Sequence, residues 1–163
     1  MQEAADNASS GYTVFVRGGT YITTSGLSDT PVLLISRSGS DAINRITFQN
    51  YNNEVVILDG ELATTRKYVV QFAQGAVNVT LRGLTVTRSS RSGIYTTGAH
   101  NLLIEDVKVY NVTTPTGTTT GSGMFLGNCV SCVVRRAIVW DSGGGVAFPF
   151  AGAVDNLVEA SIA

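Results

Sequence analysis

The chain has 163 residues, a formal net charge of −1 and 44% apolar residues, enough for one domain with a sizeable core. No basic excess points to nucleic acid, no acidic run marks a solvated tail, and no apolar stretch approaches the ~18 residues of a membrane-spanning helix. Charged residues make up only 14%, and 18 glycines stand against 3 prolines, a mix suited to short strands joined by tight turns.

The N-terminus, MQEAADNASSG, has neither the basic start nor the apolar run of a signal peptide. Residues 1–10 read as the end of a short helix with Ala4 and Ala5 inside, the remnant of a cap belonging to a longer chain. Apolar segments follow at VFVRGGTY (14–21), NRITFQNYN (44–52), EVVILDG (54–60) and YVVQF (68–72). A repeat then declares itself. NVTLRGLTV, NLLIEDVKV, SCVVRRAIV and DNLVEASIA begin at residues 78, 101, 131 and 155, so their spacings are 23, 30 and 24 residues. The insertion TTPTGTTTG (113–121) accounts for the 30. Six threonines, two glycines and a proline offer no apolar anchor, so an inserted loop outside the repeat is expected. Between copies lies a glycine-led element, GIYT (93–96), GMFL (123–126) and GVAF (145–148).

Alternation and β-branched content make each of these a strand. Three strands in a period near 23 residues predict a coil whose strands pair in parallel with those of the next coil, ~4.8 Å away. The expected architecture is therefore all-β: a right-handed single-stranded parallel β-helix of about five coils, one domain over residues 1–163. In one coil the strands are predicted at Ile94–Thr96, Leu102–Ile104 and Val107–Val109. The predicted core is Val79, Leu81, Leu84, Val86, Leu102, Ile104, Val107, Val109, Val134 and Val139. Asn50, Gly83, Asp106 and Arg136 fall at the tight turn between the second and third strands. Only Asn50 and Asp106 there could stack as a hydrogen-bonded ladder, so that ladder is expected to be broken. The chain ends in mid-strand, without the cap a solenoid needs, and so reads as a fragment.

VFVRGGTY, SRSGS (36–40) and ITFQNYNNEVVILDG (46–60) resemble the opening coils of the pectate-lyase-like β-helix superfamily, in particular of polysaccharide lyases. The later GIYT…NLLIEDVKVYN resembles its generic repeat. Two turns depart from that pattern: Gly11-Tyr12 stands for the family's Gly-Asp, and Tyr51-Asn52-Asn53-Glu54 for its Tyr-Pro-Gly-Glu. The resemblance implies a carbohydrate-active protein that binds or cleaves an acidic polysaccharide outside the cell or in the periplasm. The alternative is a non-catalytic glycan-binding or structural module of surface or phage type. Neither implies a nucleic-acid or membrane partner.

Lyase chemistry on a uronate needs a cation to neutralise the carboxylate and so acidify the neighbouring C–H, and a base to take that proton. Calcium or a bidentate arginine supplies the charge. The sequence identifies no metal ligands, which leaves calcium as an open alternative to arginine. The resemblance places this work on the glycine-led strands and the turn before them. That turn holds Arg88 and Arg91 in one coil and Asp141 two coils later; His100, the single histidine, follows GIYT. Arg88, Arg91 and His100 are the candidate catalytic residues, His100 because an ordinary histidine pKa near 6.5 suits a base. Tyr95, Phe125 and Asp141 are the candidate substrate-binding residues. If Ile94 and Thr96 point inward, Tyr95 points outward, and Phe125 one coil on extends a stripe suited to sugar rings. A one-residue slip would turn both rings into the core. Solvated turn charges are the plainer alternative for the rest. Glu105 and Asp106 are adjacent, hence on opposite faces of a strand and a poor chelating pair. Cys129 and Cys132 have the spacing of a redox or zinc half-site without a second cluster, and are expected as two small core residues.

Overall fold

The computed structural model describes residues 1–23, 29–61, 66–113 and 121–162. Three parallel sheets wrap a single core. Sheet 1 has six strands, Thr13–Val16, Ile46–Asn50, Val79–Arg82, Leu103–Glu105, Val133–Arg135 and Leu157–Glu159. Sheet 2 has five, Gly19–Tyr21, Val56–Asp59, Thr85–Ser89, Lys108–Val112 and Ile138–Val139. Sheet 3 also has five, Leu33–Ile35, Tyr68–Phe72, Ser92–Thr97, Ser122–Gly127 and Gly144–Ala147. The chain visits sheets 1, 2 and 3 in turn and then begins again one coil on. The result is a right-handed parallel β-helix of five complete turns and the first strand of a sixth.

Pairing is coil on coil and in register: Ile104 lies between Leu81 and Val134, and Val109 between Val86 and Val139. The strands hold this register although the periods differ in length, so one inward column stacks on the next, and all ten predicted core residues are at most 2% exposed. The glycines that open the sheet 3 strands have a packing cause. A Cβ on Gly93 would strike Val109, and one on Gly123 would strike Val139, because the chain turns there against the inner face of sheet 2. Single left-handed residues make the other corners. Gly83, Asp106 and Arg136 share one such corner and Arg88, Asn111 and Asp141 another, each at positive φ.

Three expectations need correction. In the helix Gln2–Asn7, Ala5 and the following Ala8 are buried and Ala4 is exposed, since residues three apart share a helical face. Gln2 closes the sheet 3 edge with its amide, which donates to Leu34 O and accepts from Leu34 N at 3.0 and 2.9 Å. The hydrogen-bonded ladder lies at a different turn from that of Asn50 and Asp106. Asn101 Nδ2 donates to Asn78 Oδ1 at the corner entering sheet 1, and Asn78 Nδ2 in turn donates to Gly39 O. Cys129 and Cys132 are buried, as expected, and are also joined by a disulfide across the turn between sheets 3 and 1. The Asn156 amide spans that turn, accepting from Cys132 N and donating to Cys129 O. Residues 114–120 of the proposed inserted loop lie outside the described residues.

Candidate functional site

The inward burial of Ile94 and Thr96 fixes the register of sheet 3, and Tyr95 and Phe125 point outward as paired neighbours. They do not stand alone. Tyr68 joins them, its ring centroid 3.9 Å from that of Tyr95 with the planes 16° apart. Tyr95 and Phe125 follow at 5.5 Å and 22°, and Phe150 closes the column edge-on at 5.8 Å. Stacked rings at coil spacing have their normals along the rod. Their faces are therefore turned toward one another, which leaves the ring edges and not the faces for other contacts. This differs from the flat platform expected from sequence, because strand alternation sets which side a ring is on and not how it is rotated. Burial and the neighbouring Tyr95 phenol push the Tyr68 hydroxyl pKa upward, and the Arg91 charge acts against that shift.

Arg91 immediately precedes Ser92, the register partner of Tyr68, so it flanks the column at its entry. It forms no ion pair among the described residues. Arg88 is differently placed: its guanidinium grips the Asp59 carboxylate of the preceding coil through Nε (2.6 Å) and Nη2. Asp59 is almost wholly buried, so Arg88 serves chiefly to neutralise it. Asp141 occupies the same corner as Arg88 two coils on, with Asn111 between them, and is exposed. His100 lies beyond the other end of the sheet 3 strand, where its backbone bridges Val77 and Val130. At ~3.3 Å per residue, the six-residue strand Ser92–Thr97 separates Arg91 from His100 by roughly 20 Å. Arg88, Arg91 and His100 therefore do not converge on one substrate atom.

The densest charge cluster lies on the outer face of sheet 1. Gln49, Arg82, Glu105, Arg135 and Glu159 occupy one register row. Glu105, with a side chain 1% exposed, accepts from Arg82, from Arg135 Nε at 2.6 Å and from Arg136 Nη2 at 2.9 Å. Burial by itself would raise the Glu105 pKa, but the three guanidinium groups outweigh it and hold the carboxyl below its ordinary range. Asp106, also bonded to Arg136, is lowered by that contact. Glu105 and Asp106 thus converge on one arginine. The expected alternation fails because Asp106 sits at φ 55°, in the corner and not in the strand. Sheet 2 carries a second aromatic pair, Tyr110 and Trp140, stacked at 4.5 Å.

Calcium requires six or more oxygen ligands. Among the described residues no three His, Cys, Asp or Glu side chains converge, and Asp59, Glu105 and Asp106 already face arginines. This donor set does not fit a calcium ion.

Tyr68, the sheet 1 charge row and the Tyr110–Trp140 pair are missing from the sequence reading. The charge row was recoverable: aligning TLRGL, LIEDV, VVRRA and LVEAS puts Arg82, Glu105, Arg135 and Glu159 in one column of alternating sign.

Comparison with known proteins supports the architecture. The uncharacterized protein YwoF of Bacillus subtilis (strain 168) is 30% identical over 124 residues, which is 70% of this chain and 25% of that protein. The crystal structure of pectate lyase Pel9A superposes with a TM-score of 0.65 at 14% identity, over 88% of this chain and 43% of that one. The chain therefore spans less than half the length of either. Residues 1–138 match the family described as "Pel9A-like, right handed beta helix region", and the chain belongs to that family.

Proposed function

We propose that this chain is a carbohydrate-engaging part of an exported protein, and that it holds an acidic polysaccharide along the outer face of sheet 3. The observation that carries this reading is Arg91, a guanidinium without an acidic partner among the described residues, beside a column of outward rings. Arginine pairs bidentately with carboxylates, and residues at equivalent places in successive coils recur at ~4.8 Å, so an extended polyuronate can run parallel to the rod. The Tyr68 and Tyr95 hydroxyls, which both donate and accept, suit sugar hydroxyls. The solved relative is named a pectate lyase, and an oligogalacturonate is accordingly the first ligand to try. The separation of Arg91 from His100 favours binding over cleavage for this chain. The Cys129–Cys132 disulfide is consistent with an oxidising, extracytoplasmic compartment.

Titration calorimetry of wild type and Arg91→Gln tests the proposal with oligogalacturonate, oligoalginate and a neutral oligogalactoside. We expect wild type to bind an acidic oligomer in preference to the neutral one. Loss of a charge-assisted hydrogen bond should weaken Arg91→Gln about tenfold. Equal affinity for acidic and neutral oligomers, or indifference to the substitution, would remove the basis for the proposal.

A further inference from the structure

A second notch opens at the corner between sheets 1 and 2, away from the aromatic column. The corner is built from unequal turns. Coils three to five cross from sheet 1 to sheet 2 with two residues, whereas coil two uses five, 51–55, including the short 3-10 turn Tyr51–Asn53. That longer turn forms a wall. The next coil has Gly83 where later coils carry Asp106 and Arg136, and the Asn50 side chain packs into the space that a Cβ on Gly83 would take. The result is a cavity of about 320 Å³ with Gly83 and Thr85 at its floor, Asn53 and Glu54 on one side, and Asp106 and Lys108 on the other. This is at the small end of ligand-binding cavities.

The charges at this cavity are unevenly committed. Glu54 is bonded by Arg17 and by Gly18 N, contacts that hold its carboxyl below the ordinary range, with the Arg17 hydrogen bond the larger cause. Asp106 is held by two bonds from Arg136, at 2.7 and 2.8 Å. Arg82 faces Glu105 and reaches Gln49 at 3.3 Å. Lys108 is exposed and has no ion pair among the described residues. It stands at an outward position of sheet 2, next to Thr85 in register.

We infer that this corner is a binding site for a hydroxylated monocarboxylate, namely a single uronic acid unit. Its carboxylate would sit on Lys108 and its hydroxyls against Thr85, Asn53 and the carboxylate oxygens of Glu54 and Asp106. The mixed lining selects this class. Lys108, the one lining cation without an ion pair among the described residues, matches one negative charge, and the acceptor oxygens around it need a ligand that donates hydrogen bonds. A phosphate, with two charges and few protons to give, would meet two carboxylates instead. The site lies on a different face from the sheet 3 column, so it stands or falls independently of Arg91.

Backbone amide chemical shifts of the full chain test this, with galacturonate, galactose and inorganic phosphate as separate probes. Galacturonate should shift the amides of Gly83, Leu84, Thr85 and Lys108, and galactose and phosphate should shift them much less. Lys108→Gln should weaken the galacturonate response about tenfold, the typical worth of a charge-assisted bond, and Lys108→Arg should retain it. Thr85→Val should weaken it without altering charge, and Arg91→Gln should leave it unchanged. Absent shifts at this corner, an undiminished response in Lys108→Gln, or a response to galactose or phosphate as strong as that to galacturonate would each overturn the inference.

Discussion

On the outer face of sheet 1, Arg82, Glu105 and Arg135 stand in one register row and satisfy one another. On the outer face of sheet 3, Tyr95 and Phe125 stand in an equivalent row, while Arg91 beside them has no acidic partner among the described residues. Both rows come from the same geometry, in which parallel coils bring equivalent positions within van der Waals reach. The row on sheet 1 alternates in sign, so neighbouring coils attract and the charge is used within the fold. The row on sheet 3 stacks ring on ring, which holds the coils together through dispersion and leaves the adjacent cation available. In a solenoid, an outward row is structural where its members complement each other, and is open to a ligand where one member lacks a complement.

The core beneath both faces sets the scale. Ile104 is fully buried between Leu81 and Val134, and Ile104→Ala should destabilise by about 2–5 kcal/mol in urea denaturation through lost transfer energy and the cavity left behind. A loss below ~1 kcal/mol, under the range for such truncations, would mean the sheet 1 register is wrong. Its outward neighbour Glu105 comes next. Glu105→Gln removes the charge that three arginines face. The arginines are roughly half exposed, so water screens part of the cost, and about 2 kcal/mol is expected, less than for a fully buried pair. The same residue gives a sign to the pH dependence. Its folded pKa is depressed, so its contribution is fully present above its ordinary value of 4.5 and is lost as pH falls through the depressed folded value. Acid unfolding of wild type should therefore steepen below that point, and Glu105→Gln should flatten the curve. An identical acid profile in the variant would show that the network does not stabilise the fold.

The fold was legible because a solenoid writes its geometry into spacing. Intervals of 23 and 24 residues and a recurring glycine left one economical winding, and the glycines proved to mark where sheet 3 strands pass the valines of sheet 2. The position of Tyr95 stayed conditional in sequence on Ile94 and Thr96 pointing inward, and their burial is what turns it outward. What escaped notice depends on finer variables. Asp106 adopts a left-handed conformation that breaks the two-residue alternation, and so brings two carboxylates to Arg136. The pairing of Cys129 with Cys132 depends on how one turn folds back. The direction in which the rings face is a rotamer property that no periodicity encodes. The distance between Arg91 and His100 required the strand between them to be seen as straight and six residues long.

The smallest effect separates two accounts of the aromatic column. Tyr95→Ala removes a half-buried ring stacked on two others and should cost about 1 kcal/mol, in the range measured for aromatic pairs. Tyr95→Phe keeps the stack and loses only a hydroxyl that interacts with Tyr68, so its stability should change by about 0.5–1 kcal/mol at most. The two variants diverge in ligand binding. If sugars lay on ring faces, phenylalanine would serve as well as tyrosine. Here the faces are closed by Tyr68 on one side and Phe125 on the other, so the hydroxyl and the ring edge are what a ligand can reach. Titration with oligogalacturonate should therefore find Tyr95→Phe weakened nearly as much as Tyr95→Ala. Full affinity in Tyr95→Phe with loss in Tyr95→Ala would mean that the stack opens to admit a sugar between its rings.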